Sequence, residues 1–449
     1  MRVPALLAFN PELQRGIWLE LTPSRLIAMP LVLALLLGGA NWIRGPQDAV
    51  GFAKAIVWLL LVLWGSRLAA ESIDAEVAGR TWDLQRLSAQ KPWALTLGKL
   101  FGGTIFVWYG AALCLGAVAL LQPGELSKTL WSALQSGLTA QSTAMFIALV
   151  LNRFGGHGRR THTTFAQVLG IFAVWQNGLI SITGRLPQAV GQGSIVWYGQ
   201  EVPGLVTVIE IVSIAWLIVG AMRIVRRELG FIDGPLGWSL YTIYAILLAA
   251  GFVPHPAQGP ALDWQDRVVP LAGILASQSL AWVISVTLTY LAVLAVPVSR
   301  PDLRKLSVAY AARDWRAVWR NLPVWVPSAI AATVVVLALT AKLAAYDITQ
   351  SGALMPLAAL GFLMRDIALI YLLRLTYRGR TAMALVVMFL MLYGVLPFFL
   401  GHLPGGFAMS LFYPGFYPGL GRVLIPWMEA VLAGAAVWRA SHAPIAAAR

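Results

Sequence analysis

The sequence predicts an all-α, polytopic helical membrane protein of about twelve spans. Three observations carry that reading. Hydrophobic residues make up 59% of the chain and charged residues 12%. Long apolar runs recur from end to end, and Lys and Arg gather in alternate segments between them. An ordinary soluble domain carries about twice this charge. A soluble chain of 449 residues would form two or three domains, and the charge to solvate their surfaces is missing. Lipid must cover most of the outside.

A spanning helix needs about 20 mostly apolar residues. In the first half the runs are 26–42, 53–69, 100–121, 130–151, 163–182 and 203–224. In the second they are 236–253, 268–296, 324–344, 354–373, 381–400 and 420–437. With the N-terminus inside, the outer segments hold seven basic residues: Arg44, Lys54, Lys128, Arg185, Arg267, Lys342 and Arg422. Arg365 falls inside a span, which leaves 25 of the 33 Lys and Arg on the inner side. This is the positive-inside bias, and it predicts that both termini are cytoplasmic. It also accounts for the net charge of +14 without nucleic acid as a partner. The first 20 residues mix charges and prolines and do not read as a cleavable signal, so the first span is expected to direct insertion. The single cysteine, Cys114, rules out an intrachain disulfide and a thiolate metal cluster.

The loop spacing repeats. Each half has two spans, a long inner loop and four more spans. Asp83-Leu84-Gln85-Arg86-Leu87-Ser88 matches Asp302-Leu303-Arg304-Lys305-Leu306-Ser307, an offset of 219 residues (83 to 302). Trp197-Tyr198 followed by Pro203-Gly204-Leu205 matches Phe412-Tyr413 followed by Pro418-Gly419-Leu420, an offset of 215 (197 to 412). These echoes predict a six-plus-six parallel duplication, residues 1–233 and 234–449, related by an axis along the membrane normal. The alternative is a single twelve-span bundle with coincidental echoes. A fused duplication supplies both halves of a pathway from one chain; a homodimer is also compatible with the sequence.

Two amphipathic segments are expected on the inner face. In the first, Asn10 caps a helix, Pro11 suits its first position, and Leu13, Ile17, Trp18 and Leu21 form an apolar face. In the second, Trp315, Val318, Trp319 and Leu322 lie opposite Arg313, Arg316 and Arg320. Taken singly, each reads as a bilayer anchor.

The stretch from Glu76 to Leu100 is the most informative. It contains Glu76, Gly79, Thr81 and Asp83, then Pro92-Trp93, then Gly98-Lys99-Leu100. With this order and spacing, the chain resembles the type-2 class of ATP-binding-cassette (ABC) transporter permeases, which includes polysaccharide, drug and lipid exporters. The match covers roughly residues 10–121. Arg80 stands where many members have a second Gly, and Ala89 where many have Pro. The second half keeps Asp302 to Ser307 without the Glu-Gly-Thr part. The resemblance implies a membrane-spanning exporter subunit with no bound cofactor of its own. It implies ATP-Mg on a separate ATPase subunit, engaged through Glu76, Gly79, Thr81, Asp83, Pro92, Trp93, Gly98 and Lys99. It further implies short re-entrant outer helices, for which 191–202 and 402–417 are the candidates, and a bacterial inner-membrane location. The chain itself has no Gly-x-x-x-x-Gly-Lys-Ser/Thr phosphate loop, since Gly98-Lys99 is followed by Leu100. It is not expected to be an enzyme.

Four ionisable residues fall within spans: Glu210, Arg365, Asp366 and Glu429. Such groups must pair or face water. They read either as a polar pathway lining or proton site, or as a buried pair between helices centred on Arg365. Neighbours on a helix point about 100° apart, so Arg365 and Asp366 are not required to pair with each other. His157 and His162 flank a basic inner loop and read as solvated rather than metal-binding. Two other function classes remain open at this stage. An ion-coupled secondary transporter would use Glu210, Asp366 or Glu429. A membrane enzyme for lipid-linked sugars would need outer carboxylates such as Asp263 and Asp266.

Overall fold

A computed structural model describes residues 10–79, 81–87, 90–153, 159–183, 195–198, 200–202, 204–231, 234–252, 268–296, 299–345, 354–376, 381–400, 411–412 and 420–442. The chain divides into two compact units. One comprises Met1–Ile195 and Val202–Asp233, the other Val196–Glu201 and Gly234–Arg449.

The first unit opens with α1 (Pro11–Glu20), where the Asn10 side chain accepts from the Leu13 N–H as the sequence predicts. Then come α2 (Pro23–Arg44) and a continuous helix of 33 residues, Pro46–Ala78. That helix comprises α3 (Pro46–Trp58), a π-helical turn (Leu59–Trp64) and α4 (Gly65–Ala78). A π turn loosens the backbone ladder, and in a membrane interior the exposed carbonyls need partners. Gln141 Nε2 donates to the Leu61 carbonyl at 3.0 Å, and Gln167 Nε2 to the Leu63 carbonyl at 2.9 Å. Gln141 is fully buried; its Oε1 accepts from the Trp108 indole. Gly65 leaves the room it needs, because a Cβ there would stand 2.5 Å from Gln141 Nε2.

The stretch expected as a long inner loop is mostly helical. After α4 come α5 (Trp82–Leu87) and α6 (Pro92–Gly102). The α6 helix meets α7 (Ile105–Leu121) at a 53° bend. The unit finishes with α8 (Leu126–Arg153), α9 (Arg159–Thr183) and α10 (Leu205–Glu228). Asp74 is buried where α4, α8 and α9 meet: it accepts from Asn152 Nδ2 at 2.7 Å and from the Thr163 hydroxyl.

The second unit contains α11 (Leu236–Gly251), α12 (Val268–Ala295), α13 (Arg300–Ala311), α14 (Trp315–Asn321) and α15 (Trp325–Ala345). These are followed by α16 (Met355–Thr376), α17 (Thr381–Leu390), a second π turn (Met391–Val395), α18 (Leu396–Leu400) and α19 (Gly421–His442). Its core gathers Leu360, Leu363, Ile367 and Ile370 of α16 against Val293, Ala332 and Val336. The α16 and α19 helices approach closely at Gly361, where a Cβ would lie 2.8 Å from the Pro426 Cβ. Small residues let membrane helices pack this way.

The described residues of the twelve apolar runs lie almost wholly on helices. Among the described residues, nine helices are long and apolar enough to cross a membrane, and the bent α6–α7 pair makes a tenth. The α11 helix is apolar but short, and α9 is not among the helices that meet the criterion. The outward faces are apolar, as at Leu35, Val334 and Leu432, so lipid is their natural solvent. The chain is a multi-pass, all-α membrane protein.

One sequence expectation is corrected. The described part of 191–202 is a two-stranded hairpin, β1 (Ile195–Trp197) and β2 (Gln200–Val202), rather than a re-entrant helix. Ile195, Val196 and Val202 are β-branched and suit strands. The hairpin rests on the end of α11: the Tyr198 N–H donates to the Gly251 carbonyl and the Trp197 indole to the Leu248 carbonyl. Of 402–417, residues 411–412 form a turn and the remainder lies outside the described residues. Arg80, Ala89, His157, Asp263 and Asp266 also lie outside them.

Candidate functional site

The Glu76–Lys99 stretch and α1 build one cluster at an end of the first unit. Glu76 is the third-last residue of α4, and Lys99 lies on α6. The Lys99 side chain is 2% exposed, and its Nζ reaches Glu76 Oε1 at 2.6 Å and Glu12 Oε1 at 3.0 Å. Arg15 NH1 sits 3.5 Å from both carboxylates. The second oxygen of Glu76 accepts from Gln85 Nε2 at 2.7 Å and from the Thr81 hydroxyl. Two acids and two bases thus balance. A buried ion pair holds its place only when its remaining lone pairs and protons are satisfied in this way.

Local sequence explains the convergence. Gly79 closes α4 with an N–H bond to the Ala75 carbonyl, and the Thr81 N–H then turns back onto the Glu76 carbonyl. Pro92 starts α6 at its first position, where a missing N–H costs nothing. Gly98 and Gly102 give α1 a flat surface on α6. A Cβ at Gly98 would stand 2.6 Å from the Glu12 Cβ, and one at Gly16 would stand 2.5 Å from the Gly102 Cα. Asn10 adds a direct tie through Nδ2 to the Ala94 carbonyl at 2.8 Å. The Gly98→Val variant is therefore expected to push α1 off α6, at about 1–3 kcal/mol of overpacking. Faster proteolysis ahead of Pro23 in detergent would report it, and an unchanged cleavage rate would count against the packing.

Of the residues singled out in this stretch, the structure gathers Glu76, Thr81 and Lys99 in direct contact, sets Gly98 against Glu12 of α1, and leaves Gly79 and Pro92 as backbone devices. Trp93 is half-exposed, and Asp83 lies on α5. At the end of α5, Leu87 is 86% exposed. Arg86 ties that helix to the end of α10 through the Glu228 carbonyl at 2.6 Å. Sequence reasoning missed Glu12, Arg15 and Gln85. The signal was present: Gly98 and Gly102, four apart, mark a helix face meant for close approach.

Each unit holds intramembrane acids of its own. Glu210, on α10, is 5% exposed and faces Gln135 of α8. In the second unit, Arg365 Nε donates to Asp366 Oδ1 at 3.0 Å, so these neighbours do pair. The 100° separation is overcome by the length of the Arg side chain. Arg365 NH1 also reaches Glu429 Oε2 of α19 at 2.8 Å and the Leu411 carbonyl at 2.8 Å, and NH2 reaches the Tyr393 hydroxyl at 2.8 Å. Asp366 Oδ2 accepts from the hydroxyls of Tyr290 at 2.7 Å and Tyr393 at 2.5 Å. The guanidinium lies 4.5 Å from the Phe362 ring centroid. Tyr290 and Tyr393 were missed in the sequence, although tyrosines in mid-span are a cue for a buried polar partner. The second π turn carries Tyr393 to this cluster.

No protein-family model, characterised protein or solved structure matches the chain.

Proposed function

We propose that the chain is the membrane-spanning permease subunit of an ATP-driven, ABC-type transporter. It acts as an exporter in a bacterial cytoplasmic membrane, and a separate subunit binds ATP-Mg and hydrolyses it. The single observation that carries this reading is the braced inner element: α4, α6 and α1 tied together through Lys99, Glu76 and Glu12, with α5 joined through Gln85 to Glu76. A permease without its own nucleotide site needs a stiff part on which a motor can push. The exposed Leu87 and half-exposed Trp93 give that part apolar handles. In the same reading the chain has twelve spans with both termini cytoplasmic, and its halves are parallel repeats. Support for the repeat is that Asp83 and Asp302, which head the matching segments, both lie in the first turn of a helix, α5 and α13 respectively.

The test is Leu87→Asp, which alters an exposed position and spares the ion cluster. The variant should insert and fold normally. Its affinity for the ATPase subunit should fall by at least roughly tenfold, as for an interface anchor worth about 2 kcal/mol. ATP-driven transport in vesicles should fall with it. Unchanged association and transport would defeat the assignment of this element, and transport without any ATPase would defeat the class.

A further inference from the structure

The segment that joins α12 to α15 presents a face that the fold leaves uncovered. Both helices are long and apolar enough to cross a membrane, and they pack against each other, so the link between them lies at a membrane surface. It folds as a hairpin of α13 and α14, shaped by two acids. Asp302 accepts from the Ser299 N–H at 3.0 Å and starts α13; Asp314 accepts from the Ala317 N–H at 3.0 Å and starts α14. Between them Arg313 adopts φ 55°, a left-handed conformation that residues with a side chain seldom take. Two backbone bonds hold the turn, Arg313 N–H to the Tyr310 carbonyl at 3.0 Å and Asp314 N–H to the Ala309 carbonyl at 3.1 Å. Arg300 ties α13 to the Leu375 carbonyl of α16 at 3.0 Å, whereas α14 has no buried residue. Tyr310, Trp315 and Trp319 are 65%, 64% and 46% exposed, and the Tyr310 and Trp315 rings meet edge to face at 6.0 Å. Trp319 lies one turn beyond Trp315, and Arg316 and Arg320 each follow about 100° further round the helix.

Residues 300–320 hold six basic side chains against two acidic ones, a net charge of +4. Arg304, Lys305, Arg313, Arg316 and Arg320 are all exposed, and among the described residues none of them makes an ion pair. We infer that the α13–α14 hairpin docks on an anionic phospholipid surface, its aromatic side entering the headgroup layer and its arginines taking lipid phosphates. Trp and Tyr favour that layer, and a guanidinium grips a phosphate through two parallel hydrogen bonds. A seven-residue helix does not hold itself in water, so α14 needs a cover for Trp315 and Trp319. An apolar protein surface would cover the rings and leave five cations unbalanced. An anionic leaflet meets both needs, and the spans on either side keep the hairpin against it. The anchoring is therefore selective for lipid charge rather than a matter of apolar burial alone. The α5 helix, whose sequence echoes α13, differs in this respect: its Arg86 is spent on the Glu228 carbonyl. The docking holds whatever drives transport, because it needs only this chain and lipid.

The experiment places a bimane fluorophore at Val318→Cys on a Cys114→Ser background, with the full chain in nanodiscs of phosphatidylcholine with or without phosphatidylglycerol. Quenching by lipid brominated near its headgroup reports docking. The label should be quenched in the anionic discs, and quenching should fall when phosphatidylglycerol is omitted or salt is raised. Arg316→Gln and Arg320→Gln should each weaken docking by about fivefold, the equivalent of about 1 kcal/mol per basic residue near an anionic leaflet. Trp315→Ala combined with Trp319→Ala should weaken it at every salt concentration. Lys128→Gln, in the first unit, should change nothing. Each of these side chains is exposed, so folding is not at stake. Three results would each overturn the proposal: equal quenching without phosphatidylglycerol, quenching untouched by both arginine variants, or a label that stays in water on anionic discs and is shielded only when an ATPase subunit is added.

Discussion

Replacing Lys99 with Met is expected to cost the first unit about 3–5 kcal/mol, the range for stranding the partner of a buried ion pair. Met preserves the length and apolar stem and removes the charge. Glu76, 7% exposed at its side chain, would then face Glu12 with no ammonium between them. Arg15 cannot take over, because it lies 3.5 Å away with its side chain 60% exposed. Unfolding in detergent, followed by Trp fluorescence, measures the loss. Adding Glu76→Gln to Lys99→Met should restore at least half of it, since a neutral amide still accepts from Thr81 and Gln85. A single variant as stable as wild type would show that the cluster is not the brace described above.

The second large effect is expected in the second unit. Arg365→Gln removes the one cation shown bridging α16, α19, the turn at Leu411 and the π turn. Asp366, fully buried, keeps its two tyrosine donors, whereas Glu429 loses the ion partner that it has in the structure. The loss should be about 3 kcal/mol, the low end of the soluble-core range, because water can reach a membrane carboxylate. Glu429→Gln should cost less than half as much, since its side chain is already 25% exposed. Combining the two should recover part of the Arg365→Gln loss and not all, because Asp366 remains. Additive losses in the double variant would show that Arg365 and Glu429 do not act as a pair.

What the sequence revealed and what it withheld follow from distance along the chain. Apolar runs and the Asn10-Pro11 cap are local signals, and both emerge as helices where expected. The Ser299–Asp302 capping box, which starts α13, is equally local. The ion pairs are not: Lys99 is 23 residues from Glu76 and 87 from Glu12, and Arg365 is 64 from Glu429. Charge type and span position drew attention to Arg365, but no periodicity could choose Glu429 over Glu210 as its partner. The helix expected at 191–202 came from the family resemblance, whereas the local β-branched residues Ile195, Val196 and Val202 favour the strands that form. The Glu76–Leu100 region was read as a polar loop because its helices are short and their turns, at Gly79 and before Pro92, dominate the local pattern.

The bend after Gly102 has a mechanical consequence. Because α1, α4 and α6 are clamped to one another, α6 cannot flex independently and serves as a stiff arm about 16 Å long by helical rise. It joins the spanning shaft α7 at 53°. An arm fixed at an angle to a shaft is a crank: a sideways push on its end emerges as torque about the shaft's axis. In the proposed transporter, a push by the ATPase subunit on this arm would reach α7 as a twist about its axis rather than as a slide along it.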